Sequence, residues 1–208
     1  EGIGIFKMIL DANGYAEFKI RKKNQEGDWE IVEEEDEIGK PKYALHTGTE
    51  SEEEKKIILN IYNSKWSQIP SSILSKLQQS GKENNDMGDV IKLLMITASG
   101  AEGINSKSTR YVHLIEPYWH NVRIDQVIGR ARRICSHQNL PQELQTVQVF
   151  LYISVFSDNQ MENIVGKNKI TEKKHIQLKR TDVSKLTNQF AEELDVDSKL
   201  GKYVRTLE

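Results

Sequence analysis

Cysteine is almost absent from this chain: Cys135 stands alone among 208 residues, so no intrachain disulfide can form. That scarcity fits an intracellular, reducing setting better than a secreted one. No apolar run is long enough to span a bilayer, and the start shows neither a charged-then-apolar leader nor an initiator Met, so the chain reads as an excised piece of something longer. Charge of one sign is lacking too. With 29 basic and 31 acidic residues the chain is not a uniformly basic nucleic-acid binder, and any such site has to be local. His46, His113 and His120 are scattered without Cys or carboxylate partners at ligand spacing, which leaves no metal site to propose. No Gly-x-x-x-x-Gly-Lys-Ser/Thr phosphate loop occurs, because Gly81-Lys82, Gly166-Lys167 and Gly201-Lys202 lack its context. An Asp-Glu-x-His or Asp-Glu-x-Asp metal-holding box is likewise missing, and no internal repeat is visible.

What is present is ordinary globular composition, enough for a domain burying roughly 70% of its unfolded surface. Ile3, Phe6, Ile9 and Leu10 recur at helical spacing, and Gly14 suits a helix C-cap. Ala16–Ile20 reads as a short strand. Residues 21–41, where the acid is concentrated, read as an exposed acidic insertion ending in Gly39-Lys40-Pro41. Tyr43–His46 is a strand, Thr47-Gly48-Thr49 a turn, and Ser51 with Glu54 a capping box for a helix whose apolar face is Ile57, Ile58, Ile61 and Tyr62. Ile69, Ile73, Leu74 and Leu77 predict a second amphipathic helix before a loop at Gly81–Gly88. Val90–Ile96, Val112–Ile115 and Val147–Val155 are near-continuous apolar runs, the pattern of strands buried on both faces. A helix from Asn121 to Ile134 separates the last two. Strands alternating with helices predict a mostly parallel sheet with helices on both sides, whose ligands bind at the carboxyl ends of the strands. Beyond Asp158 the pattern weakens to a basic stretch and one amphipathic helix over 182–194. These features divide the chain at 1–158 and 159–208.

Charge is locally lopsided near the C-terminal end of this pattern. From Lys107 to Arg133, six Lys/Arg face only Glu116 and Asp125. Within that stretch lies Gln126-Val-Ile-Gly-Arg-Ala-Arg-Arg133. On a helix Arg130 and Arg133, three apart, share one face and can meet one anion, while Arg132 points elsewhere. Arginine suits phosphate, since its planar fork stays charged and binds oxygens in pairs. Alone, such a cluster is more often a solvated helix face or a set of partners for surface carboxylates.

The cluster has company. Ile-Thr-Ala-Ser-Gly-Ala-Glu-Gly-Ile-Asn (96–105) precedes it, and Arg-Tyr-Val-His-Leu-Ile-Glu-Pro-Tyr-Trp-His-Asn (110–121) links the two. In this order and spacing they resemble motifs V and VI of superfamily-2 helicases and translocases. The Pro-Tyr-Trp-His-Asn run is similar to the Swi/Snf-type branch and to helicases of large DNA viruses, including those related to the poxvirus early transcription factor. The resemblance implies a RecA-like three-layer α/β/α sandwich, P-loop NTPase-like but without its own phosphate loop. It also implies the C-terminal motor domain of an ATP-dependent enzyme, with ATP and Mg²⁺ bound mainly by an N-terminal RecA-like domain of the same polypeptide. By that resemblance Arg130 and Arg133 are arginine fingers, and Gln126 couples ATP to the nucleic-acid side. Gly129 allows close helix packing. Thr97, with Ala98, Ser99 and Gly100, meets a nucleic-acid phosphate, while Glu102, Gly103 and Asn105 face the nucleotide. Trp119 is an accessory near the cleft between domains. The implied partners are DNA or RNA, and the implied setting is cytoplasm, nucleus, virion or viral factory. The isolated chain is expected to be inactive. Two rivals stand beside this reading: a catalytically silent RecA-like docking platform, and a duplex-DNA translocase or remodeller in place of a strand-separating helicase.

Overall fold

The computed structural model describes residues 2–23, 28–97, 103–115, 117 and 121–152. They fall into two compact units, the first from Glu1–Arg110 and Gly129–Val147, the second from Tyr111–Ile128 and Gln148–Glu208.

The first unit begins with α1 (Gly2–Ala12), ended by Gly14 at a φ of +80°. Tyr15 N–H reaches Leu10 O at 3.0 Å and Gly14 N–H reaches Asp11 O at 3.1 Å, so a left-handed residue closes the helix as the sequence predicts. Next come β1 (Ala16–Glu17), β2 (Lys19–Lys22), β3 (Trp29–Val32) and β4 (Lys42–His46). Then follow α2 (Glu52–Tyr62), α3 (Ser71–Gln79) and β5 (Leu93–Ile96). The N-cap expected at Ser51 is present, its hydroxyl accepting from Glu54 N–H at 3.2 Å.

Strands β1, β4 and β5 form a parallel sheet in the order β1-β4-β5. Neighbouring residues of a strand face opposite ways, and β4 uses both faces. Ala44 packs with Ile57, Ile58, Ile61, Ile73 and Leu77 of α2 and α3. Tyr43 and Met95 pack with Leu10, Ile3 and Phe6 of α1 on the other side. Helix, sheet and helix therefore make three layers, the α/β/α arrangement of a RecA-like fold. Ile9 does not join the α1 face and is 49% exposed, a departure from the sequence reading.

A second departure concerns residues 21–41. Their described part is largely exposed but not all loop: β2 and β3 pair antiparallel from Lys19↔Val32 to Lys22↔Trp29. Ile20 and Trp29 are buried in the main core cluster, and Ser72 of α3 donates to the Trp29 carbonyl at 2.7 Å. The acid has structural partners as well, since Lys42 pairs with Glu33 at 2.9 Å and with Glu37 at 3.8 Å. Parallel strands need a long crossover, and this hairpin supplies the one from β1 to β4.

The second unit contains β6 (Tyr111–Leu114) and β7 (Gln148–Leu151), paired in parallel from Tyr111↔Gln148 to Leu114↔Leu151. Between them in the chain runs α4 (Asn121–Ala131). Neither strand is buried on both faces, contrary to the sequence reading: Tyr111, His113 and Phe150 are exposed while Val112, Leu114, Val149 and Leu151 are half-buried. Runs such as Tyr-Val-His-Leu are apolar enough for a buried strand yet alternate, and only the packing separates the two cases. No described helix is long and apolar enough to cross a membrane.

Candidate functional site

Parallel strands β4 and β5 end side by side, and Thr97 N–H donates to His46 O at 3.4 Å just past their carboxyl ends. The turn after β4 is bound tightly. Glu50 accepts from Thr47 N–H at 2.6 Å and from the Thr47 and Thr49 hydroxyls at 2.9 Å each. Burial opposes its ionisation, but these hydrogen bonds together outweigh burial and hold the Glu50 carboxyl below its usual range. His46 beside it is 7% exposed. Burial pushes its pKa down, and its Nδ1 has no hydrogen-bond partner among the described residues.

Of the residues predicted to follow Thr97, Ala98, Ser99, Gly100 and Glu102 lie outside the described residues. So does Trp119. Gly103 adopts a φ of +75°, the left-handed backbone expected of one of the two motif V glycines. Beyond it the chain is pinned from three sides. Ile104 is 4% exposed and anchors the segment in the interior. Asn63, at the C-terminal end of α2, donates to Asn105 O at 2.7 Å and accepts from Lys107 N–H at 2.7 Å. Tyr62 OH lies 2.9 Å from the Thr109 hydroxyl. The Asn105 side-chain oxygen is buried with no partner among the described residues.

The third side of this clamp is the arginine segment. Ser106 meets Arg130 O through both its N–H and its hydroxyl, each at 3.2 Å. Ser136 hydroxyl lies 3.0 Å from Ala131 O, and Ser136 N–H donates to Arg133 O at 3.1 Å. Ser108 N–H donates to Ser136 O at 2.9 Å. These contacts correct the predicted helix end. Helix α4 stops at Ala131, short of Ile134, because its last carbonyls find donors in Ser106 and Ser136 instead of in further turns. Cys135 then takes a φ of +60°. Arg133 therefore lies beyond the helix, and the shared helical face drawn for Arg130 and Arg133 does not exist as such. With it goes the helical argument that set Arg132 apart.

Arg130 is half-buried, and Arg132 and Arg133 are exposed. Among the described residues no carboxylate pairs with any of the three, so the usual role of a surface arginine cluster is not realised here. Gln126 is exposed on α4. Among the described residues a Cβ built on Gly129 would meet nothing within 4 Å. Among the described residues no group of three His, Cys, Asp or Glu could hold a metal ion. Asn63, Ser106 and Ser136 were not legible as site residues, since nothing in their spacing marks them as clamps.

No family model matches the chain. Individual relatives do. A termination factor NPH-I homolog of African swine fever virus is 36% identical over 168 residues, covering 78% of this chain and 23% of that protein. A putative ATP-dependent RNA helicase of Acanthamoeba polyphaga mimivirus is 40% identical over 88 residues, 42% of this chain and 20% of its own length. The nucleoside triphosphatase I of Melanoplus sanguinipes entomopoxvirus is 28% identical over 152 residues, 71% of this chain and 22% of that protein. These likenesses are consistent with part of a superfamily-2 helicase-type domain. Its homologues are the termination factors, helicases and nucleoside triphosphatases of large DNA viruses. It spans less than a quarter of the length of these relatives.

Proposed function

We propose that residues 1–158 are the C-terminal RecA-like motor domain of an ATP-dependent helicase or translocase, with 159–208 as an extension. Its own contribution is an arginine pair and part of the nucleic-acid track. One observation carries this reading: cationic Arg130 and Arg133, unpaired with any described carboxylate, sit on a segment hydrogen-bonded to the backbone that follows motif V. An unpaired guanidinium fits a phosphate, and a surface carboxylate would have competed for it. The names of the relatives, helicase and nucleoside triphosphatase, support ATP as the substrate class.

In this reading an N-terminal RecA-like domain holds ATP and its Mg²⁺, which neutralises phosphate charge. Closure of the two domains brings Arg130 and Arg133 to the transferring phosphoryl group, where an arginine contributes about 10³–10⁵ in rate. Glu102, Gly103, Asn105, Gln126 and Gly129 are the residues assigned to the nucleotide in this reading. Thr97, with Ala98, Ser99 and Gly100, binds the sugar-phosphate backbone of DNA or RNA without reading sequence. The setting is the inside of an infected cell.

The test is nucleic-acid-stimulated ATP hydrolysis by the full-length protein. Arg130→Ala and Arg133→Ala should each lower kcat by at least about 10³ with modest change in ATP affinity, and the 208-residue chain alone should hardly turn over. An unchanged kcat in both variants, or robust turnover by the isolated chain, overturns the proposal. No turnover in the wild type favours a docking platform instead.

A further inference from the structure

The helix that carries Arg130 ends before Arg133, so α4 cannot set the direction of Arg133. Nor does any described carboxylate hold either arginine in place. Yet an arginine finger works only if it is placed closely, since misplacement of about 1 Å can cost roughly 10²-fold in rate. Something else has to fix this turn.

We infer that Ser136 and His137 are positioning residues for the arginine segment, a hydroxyl–imidazole clasp that fastens it to the backbone following motif V. The inference rests on the arginine-finger reading above. Ser136 is 6% exposed, and its hydroxyl lies 2.7 Å from His137 Nδ1 and 3.0 Å from Ala131 O. The opposite ring nitrogen, Nε2, lies 2.8 Å from Thr109 O. A carbonyl can only accept, which puts a proton on Nε2 and leaves Nδ1 of the neutral ring to accept from Ser136. The single hydroxyl proton can serve Nδ1 or Ala131 O, one at a time. The ring thereby links the Thr109 carbonyl to the Ser136 hydroxyl, which in turn reaches the last residue of α4.

The backbone completes the clasp. Ser108 N–H holds Ser136 O at 2.9 Å, and Ser136 N–H holds Arg133 O at 3.1 Å. Arg133 therefore lies inside a loop closed at both ends by Ser136. The imidazole bridges this loop to Thr109, and Thr109 in turn touches Tyr62 of α2. A displacement of the 105–109 segment would pass directly to the arginine turn, which is how nucleic acid held at motif V could govern hydrolysis.

Steady-state ATPase of the full-length protein, with saturating nucleic acid, tests this with His137→Ala, His137→Gln, Arg133→Ala and the His137→Ala/Arg133→Ala double variant. His137→Ala should lower kcat by about 10–100-fold, with KM for ATP and nucleic-acid affinity within about twofold of wild type. His137→Gln keeps an Nε2-type donor for Thr109 O and should recover part of the loss. In the Arg133→Ala background the His137 change should have little further effect, because the two act as one unit. A wild-type kcat in His137→Ala overturns the clasp. So does a loss in which kcat, KM and nucleic-acid affinity all deteriorate together, or one that simply multiplies with that of Arg133→Ala. An inert Arg133→Ala substitution beside a damaging His137→Ala would instead sink the arginine-finger reading on its own.

Discussion

Asn85 offers a sharp test of how the first unit holds together. The residue lies in a loop that joins α3 to β5 and is 3% exposed. Its amide nitrogen donates to Tyr62 O at 3.0 Å and to Ile91 O at 3.1 Å, and its amide oxygen accepts from Val90 N–H at 2.9 Å and Ile91 N–H at 2.8 Å. One side chain thus satisfies four backbone groups, tying the end of α2 to the entry of β5. Asn85→Ala would strand all four. At roughly 1 kcal/mol net per hydrogen bond, the loss is about 4 kcal/mol, or about 2 kcal/mol if water enters the gap. Asn85→Asp should be no better near neutral pH, because it removes both donors and sets a carboxylate against two carbonyls. Urea unfolding followed by tryptophan fluorescence reports on this region, since Trp29 shares a core cluster with Val90 and Ile91. With a slope of about 2 kcal/mol per molar urea, the midpoint should fall by about 1–2 M. Asn84→Ala, at an exposed neighbour, should stay within about 0.5 kcal/mol of wild type. If Asn85→Ala lies within about 0.3 M of wild type, the four-bond account is wrong.

Two further outcomes are expected. Trp29→Ala should cost about 3–5 kcal/mol in the same assay, as for a large aromatic removed from a core; a loss below about 1 kcal/mol would return residues 21–41 to the status of a solvated appendage. His46 should make stability depend on pH. Burial lowers its pKa in the folded state, while in the unfolded chain the value is about 6.5. As pH falls below that point the unfolded state takes up the proton first, so stability is lost on acidification and fully present above it. Urea midpoints compared between wild type and His46→Gln from about pH 5 to 8 should show the wild type falling more steeply; parallel curves would contradict the assignment.

The sequence by itself determined the local structure and the relationship. Period and capping placed α1, α2 and α3 correctly, because Gly14, Ser51 and the Ile73–Leu77 stripe act through neighbours a few residues away. Motifs V and VI, read as a spaced set, gave the helicase-type reading that the viral relatives support. Tertiary structure alone decided what depends on distant partners. The acidic composition of 21–41 suggested solvent, yet Trp29 finds a core that includes residues as distant in sequence as Ile91, and Lys42 absorbs two of the acids. The arginine octet had the period of a helix to its end, and only the approach of Ser106 and Ser136 to its last carbonyls ends that helix at Ala131. Helical propensity is a local quantity and a carbonyl's partner is not. For that reason the residues that bear charge were legible in the sequence, and those that aim it, Ser136 and His137 in the clasp proposed here, were not.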